Sequence, residues 1–118
     1  MECPIDGILN DPRCAYCRAF RGDRDDSTIF VEVGEWGSRT FGNSSDQSKL
    51  AHLAKEFDEL RADPGSGEEM ADMVMILSHL AYTWDIDLMA EIRRKLEICR
   101  ARKWGKPDAD GVIEHIRE

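Results

Sequence analysis

The chain contains no apolar run near the ~20 residues that a bilayer-spanning helix needs. Met1 to Asn10 carry neither the basic start nor the long apolar stretch of a signal peptide. These two absences make the cytoplasm the expected compartment. Positive charge is also short: 16 Lys and Arg stand against 24 Asp and Glu, giving a net charge of −8. So acidic a surface repels polyanions, and no nucleic-acid partner is expected. A small phosphate ligand is compatible with it, because a metal ion held by carboxylates reverses the local field. No glycine-rich phosphate loop of the P-loop type is present. There is no internal repeat, and His52, His79 and His115 lie scattered with no catalytic cluster in view.

Cysteine is sparse: Cys3, Cys14, Cys17 and Cys99. Cys14 and Cys17 form a CxxC to which Cys3 can add a third thiolate. A structural zinc site normally takes four ligands, and no fourth stands nearby. Free thiols in an irregular arm, residues 1–27, are the expectation, with a small zinc-binding adaptor as a rival. The whole chain has 118 residues, 42% of them apolar. That suits one compact domain, small enough to gain core by oligomerising.

Three helices can be read from the apolar spacing. The first spans about Asp46 to Ala62, with Leu50, Leu53, Ala54, Phe57 and Leu60 on its inner face and Ser44 or Ser45 as its cap. Asp63-Pro64-Gly65 stops it. The second spans about Gly67 to Trp84, with Met70, Met73, Val74, Leu77, Leu80, Ala81 and Trp84 as its stripe. Ser66 and Glu69 have the spacing of a capping box. The third spans about Leu88 to Lys103, capped by Asp87, with Leu88, Ile92, Leu96 and Cys99 inward. Gly105-Lys106-Pro107 ends it, and the tail is expected to add a turn of helix through Val112 and Ile116. Residues 28–37 stay open: β-branched residues suggest a strand, whereas Ile29, Val33 and Trp36 are spaced for a helix.

Two acidic pairs sit on consecutive helices, Glu56-x-x-Glu59 and Glu69-x-x-Asp72. Residues three apart share a helix face. The short turn makes these helices an antiparallel hairpin, with both pairs on the same side and at matching height. Four carboxylates brought together repel one another unless a cation lies among them. Oxygen-only ligation suits Mg²⁺ or Mn²⁺, which leaves positions for substrate phosphates. The plainer alternative is a solvated acidic face on a helical oligomerisation module.

Lys95 and Arg102, seven apart, share a face of the third helix and can hold phosphates, with Lys103 beside them. Part of Lys103 is explained by the helix macrodipole. Trp36, Phe41 and Trp104 are candidates to stack on a base, or else core.

Residues 36–117 resemble the MazG-like all-α nucleotide pyrophosphohydrolases, whose ExxE and ExxD signature matches Glu56, Glu59, Glu69 and Asp72. The closer likeness is to the dATP/dGTP pyrophosphohydrolase branch and its phage MazZ-like enzymes. It rests on Trp36 with Thr40-Phe41-Gly42, on His52-Leu53-Ala54-Lys55-Glu56, on Glu68-Glu69-Met70-Ala71-Asp72, on Lys95-Leu96-Glu97-Ile98, and on Arg102-Lys103-Trp104-Gly105-Lys106-Pro107. The ending Asp110-Gly111-Val112-Ile113-Glu114-His115-Ile116 fits as well. The resemblance implies an all-α bundle over residues 28–118, completed by neighbouring subunits as a dimer or tetramer, and makes residues 28–40 helical. It implies Mg²⁺ (or Mn²⁺) on the four matched carboxylates. It also implies cleavage of a purine nucleoside triphosphate, (d)GTP first and dATP second, at the α–β bond, in the host cytoplasm for a phage enzyme. Glu56 is the expected catalytic residue, and Lys95, Arg102, Lys103, Trp36 and Phe41 are the expected substrate contacts. Cys99 stands where the family tends to have Asn, and the arm has no counterpart. A phosphoribosyl-ATP pyrophosphohydrolase of the same fold is the nearest rival.

Overall fold

The computed structural model describes residues 28–117. The arm proposed for residues 1–27, and with it Cys3, Cys14 and Cys17, lies outside the described residues. Four helices follow in order: α1 (Ile29–Phe41), α2 (Asp46–Ala62), α3 (Gly67–Thr83) and α4 (Leu88–Ala101), with no strand element among the described residues. None of these helices is long and apolar enough to cross a membrane.

The helix starts follow side-chain capping. Ser45 Oγ accepts from the Ser48 amide, Ser66 Oγ from the Glu69 amide and Asp87 Oδ1 from the Ala90 amide, at 3.0, 3.2 and 3.0 Å. Each satisfies one donor that the first turn leaves unpaired. The Ser66 cap is half of the expected box, because the Ser66 amide donates to the Asp63 carbonyl at 3.0 Å. That frees the Glu69 side chain for another use. Residues 29–37 resolve as helix, with Thr28 as N-cap, consistent with the spacing of Ile29, Val33 and Trp36, although Ile29 and Trp36 are about half exposed. The buried positions of α1 are Gly34 and Gly37.

Those two glycines set the main packing. α3 lies between α1 and α2 and packs against both. A Cβ on Gly37 would come within 2.7 Å of the His79 ring, and one on Gly34 would land on Tyr82. Only bare backbone lets α1 approach α3 this closely. α2 and α3 form the expected antiparallel hairpin, and Trp84 Nε1 at the end of α3 donates to Asp46 Oδ2 at the start of α2 (3.1 Å).

The apolar stripes are less buried than their periodicity predicts. Leu50, Phe57, Met70, Val74, Leu77, Ile92 and Leu96 are all 40–50% exposed, and α4 has no buried residue. In this single layer of three helices α2 is covered chiefly by α3, and α4 packs sparsely on the rest. The tail also departs from expectation. Instead of a helical turn it folds back on the end of α4, through an antiparallel bridge between Trp104 and His115. Gly105 N–H donates to the Glu114 carbonyl and Ile116 N–H to the Lys103 carbonyl, at 2.9 and 2.8 Å. Asp108 Oδ1 closes the reversal by accepting from the Asp110 and Val112 amides. Asp108 thereby favours the turn over a helix.

Candidate active site

The hairpin brings carboxylates from both of its helices together. Oxygens of Glu56 and Glu59 on α2 and of Glu69 on α3 all lie within 4.8 Å of one another. Asp72, a turn further along α3, falls outside this trio and lines the adjoining cavity beside Glu56. The four expected carboxylates therefore divide into three in mutual contact and one on the cavity wall.

The electrostatics of the trio are those of crowded negative charge. Glu69 is pushed up to about 7, first by the hydrogen bond it shares with Glu59, then by desolvation and by Glu56, with repulsion from both carboxylates adding to the shift. Glu56 Oε2 and Glu69 Oε2 are buried and have no hydrogen-bond partner. Buried polar atoms are normally paired, so two unpartnered oxygens within one acidic cluster fit the donor set for a cation. An all-oxygen set of carboxylates fits a hard divalent ion.

His52 contributes what the sequence pattern did not reveal. Its Nε2 lies 3.2 Å from Glu56 Oε1, one helical turn away on the same face. That contact fixes Oε1 of Glu56 and leaves Oε2 buried without a partner. An i, i+4 His–Glu pair was visible in the sequence and is the signal that would have found it.

Next to the carboxylates opens a cavity of about 260 Å³, lined by residues of α1, α2, α3 and the α1–α2 loop, among them Trp36, Phe41, Ser44, Lys49, Glu56 and Asp72. Trp36 and Phe41 meet edge to face with centroids 5.5 Å apart, and Phe41 lies 6.2 Å from the His79 ring. His79 is buried and lies 3.2 Å from Ser38 Oγ. Burial, with the charge of Lys49 second, holds it below the usual histidine range and so neutral. Lys95, Arg102 and Lys103 do not line this cavity. The charges of Arg102, Arg117 and Lys95 instead act on His115 of the tail, where desolvation first and then these cations lower its pKa. Trp104 also serves the tail: its Nε1 donates to the Cys99 carbonyl at 2.9 Å.

The acidic cluster on paired helices lies beside an aromatic cleft. A model of the family described as dATP/dGTP pyrophosphohydrolase matches residues 29–118. The chain belongs to the dATP/dGTP pyrophosphohydrolase family. A curated relative, the dATP/dGTP diphosphohydrolase of cyanophage S-2L, is 36% identical over 88 residues, which is 73% of this chain and 83% of that protein. A solved structure, the cyanophage S-2L MazG-like pyrophosphohydrolase bound to dGDP and three catalytic Mn²⁺ ions per active site, aligns with a TM-score of 0.66. It is 28% identical, and the match covers 79% of this chain and 93% of that one. The fold is thus the all-α MazG-like fold, and the chain is a nucleotide pyrophosphohydrolase. In these pyrophosphohydrolase terms the cavity has two parts: a carboxylate end at Glu56 and Asp72, and an aromatic end at Trp36 and Phe41.

Proposed function

We propose that this pyrophosphohydrolase cleaves purine nucleoside triphosphates, (d)GTP foremost and dATP second, at the α–β phosphate bond, giving the nucleoside monophosphate and pyrophosphate. The observation that carries the proposal is the pair of buried, unpartnered oxygens, Glu56 Oε2 and Glu69 Oε2, in a carboxylate trio whose Glu56 also lines an aromatic cleft. Mg²⁺ held by Glu56, Glu59, Glu69 and Asp72 would neutralise the triphosphate and acidify the attacking water. The three Mn²⁺ ions of the cyanophage neighbour support a divalent requirement, with Mn²⁺ as an alternative.

The chain's own groups do the rest. His52 steadies Glu56 through Oε1. Glu56 orients the water in line with the α-phosphorus and takes its proton. Trp36 and Phe41 receive the base by stacking. Lys95, Arg102 and Lys103 belong to α4 and its C-terminal edge, which packs sparsely on the rest of its own chain. They would meet the phosphates across an interface between two copies. The half-exposed apolar stripes of α2 and α3 support such a homo-oligomer, a dimer or a dimer of dimers. The cyanophage relative supports action in a host cytoplasm.

A panel of dNTPs and NTPs with Mg²⁺, assayed for pyrophosphate against single phosphate, tests the proposal. Pyrophosphate from purine substrates is the expected result. Release of single phosphate, or turnover confined to phosphoribosyl-ATP, would overturn it.

A further inference from the structure

Lys49 occupies an unusual position for a lysine. It is 5% exposed, and it lines the aromatic cavity from α2. Lysine is almost never buried unless paired with a charge. Yet Lys49 makes no ion pair among the described residues. Its one hydrogen bond goes to the Ser44 carbonyl, at 2.6 Å. An ammonium carries three donors, so two are left for whatever fills the cavity. A second group waits beside it. Ser44 Oγ is buried, lines the same cavity and has no partner.

The direction of the side chain decides which part of a nucleotide these groups meet. Lys49 precedes Glu56 by seven residues, which is about 10.5 Å along the helix at ~1.5 Å per residue. Its Nζ is tied to a carbonyl five residues before it, ahead of the helix start, and so is drawn away from Glu56. Phosphates held at the carboxylate end therefore lie out of its reach. Nζ is held instead at Ser44, three residues after Phe41 in the chain, and the aromatic end of the shared lining, with Trp36 and Phe41, suits a base.

We infer that Lys49 is the base-selecting residue of this cavity, donating to the O6 and N7 acceptors of a guanine-type purine. This rests on the proposed function above. Guanine presents O6 and N7 as acceptors, whereas adenine places an amino donor at the same position as O6. Facing adenine, Lys49 meets donor with donor and keeps a buried N–H unpaired. Ser44 Oγ both donates and accepts, so it can serve either base and discriminates little. Neutral His79, its ring 6.2 Å from that of Phe41, adds no second positive charge to this end.

Calorimetric binding of diphosphates in the presence of Mn²⁺ reads the inference independently of turnover. The probes are dGDP, dADP, and the inosine analogue dIDP, which keeps O6 and N7 but lacks the 2-amino group. Wild-type protein is expected to bind dGDP and dIDP alike, each at least about tenfold tighter than dADP. Lys49→Met should weaken dGDP and dIDP about 10- to 100-fold and dADP less than about threefold. Lys49→Gln, whose amide can pair with adenine, should narrow or invert the preference. Equal binding of dGDP and dADP by wild type overturns the inference, and so does an equal loss for all three probes in Lys49→Met. Should Lys49→Met not fold, the wild-type ranking and Lys49→Gln still decide. Tight, selective dGDP binding without pyrophosphate release would sink the proposed reaction and leave the role of Lys49 standing.

Discussion

Adding one methyl group to α1, by Gly34→Ala, tests the helix crossing that builds the aromatic cavity. In an exposed helix interior, alanine is better than glycine by about 1 kcal/mol, because glycine loses more backbone entropy on folding. At Gly34 the new Cβ would land on Tyr82 Cβ and Cγ and come within 2.9 Å of Cδ2. Tyr82 Cβ is fixed to the α3 backbone, so no rotamer change clears it and the helices must part. Overpacking of this kind costs about 1–3 kcal/mol. Set against the propensity gain, this leaves a net loss of up to about 2 kcal/mol. In a domain of this size that is a fall in Tm of up to roughly 15 °C. Gly67→Ala is the control, since nothing lies within 4 Å of its added Cβ. It should leave Tm unchanged or slightly raised. Thermal unfolding by circular dichroism, at one fixed protein concentration, measures both variants. A Gly34→Ala protein more stable than wild type would refute the close α1–α3 crossing and the cavity built on it.

Other expectations follow from the acidic cluster. Glu56→Gln should abolish pyrophosphate release and leave the far-UV spectrum of the wild type; an active, folded variant would remove Glu56 from catalysis. In EDTA, Glu59→Gln should be at least as stable as wild type, because one of three crowded carboxylates is neutralised. With Mg²⁺ at 100 times its Kd, wild type should gain about 2.7 kcal/mol by mass action and the variant clearly less, as melting curves will show. Glu69, raised from 4.5 to about 7, holds its proton more tightly in the folded protein than in the unfolded one. Metal-free stability therefore falls as pH rises from about 4.5 to 7. Metal must displace that proton, so its affinity should rise, by up to about tenfold per pH unit, and level off above pH 7; a flat calorimetric profile from pH 5.5 to 8 would contradict this. The exposed apolar stripes predict a Tm that falls on dilution, with a matching drop in mass by light scattering; a monomer with constant Tm over a 100-fold range would count against the oligomer.

The parts of this protein that sequence could reveal are those fixed by local chemistry. The caps at Ser45, Ser66 and Asp87 act over three residues, so the starts of α2, α3 and α4 were readable. The hairpin follows from one Pro-Gly turn, and it brings Glu56, Glu59 and Glu69 together without help from the rest of the chain. Contacts across long separations were not readable. Ser38 meets His79 over 41 residues, and the glycine face of α1 carries no apolar period to reveal it. The tail misled because Val112 and Ile116 have helical spacing, while Asp108 and the positive-φ Gly111 turn the chain back instead. Lys49 carries no signal in the sequence, because a lysine in a helix is ordinarily a solvated one, and only the fold buries it.

This division also separates two tasks within one cavity. The carboxylate end stands on the α2–α3 hairpin alone, where every residue that holds charge lies within 17 residues of the others. The aromatic end depends on α1, whose Trp36 and Phe41 are held in place by the bare backbone at Gly34 and Gly37. A change in the α1–α3 crossing can therefore reshape the base pocket while the carboxylate trio keeps its spacing. Substitutions at Gly34 or Gly37 that still allow folding should alter the choice among bases more than the affinity for metal. Substitutions at Glu59 or Glu69 should do the reverse. Metal chemistry held by a local hairpin, beside a base pocket held by a distant helix, lets one scaffold keep its reaction while its substrate changes.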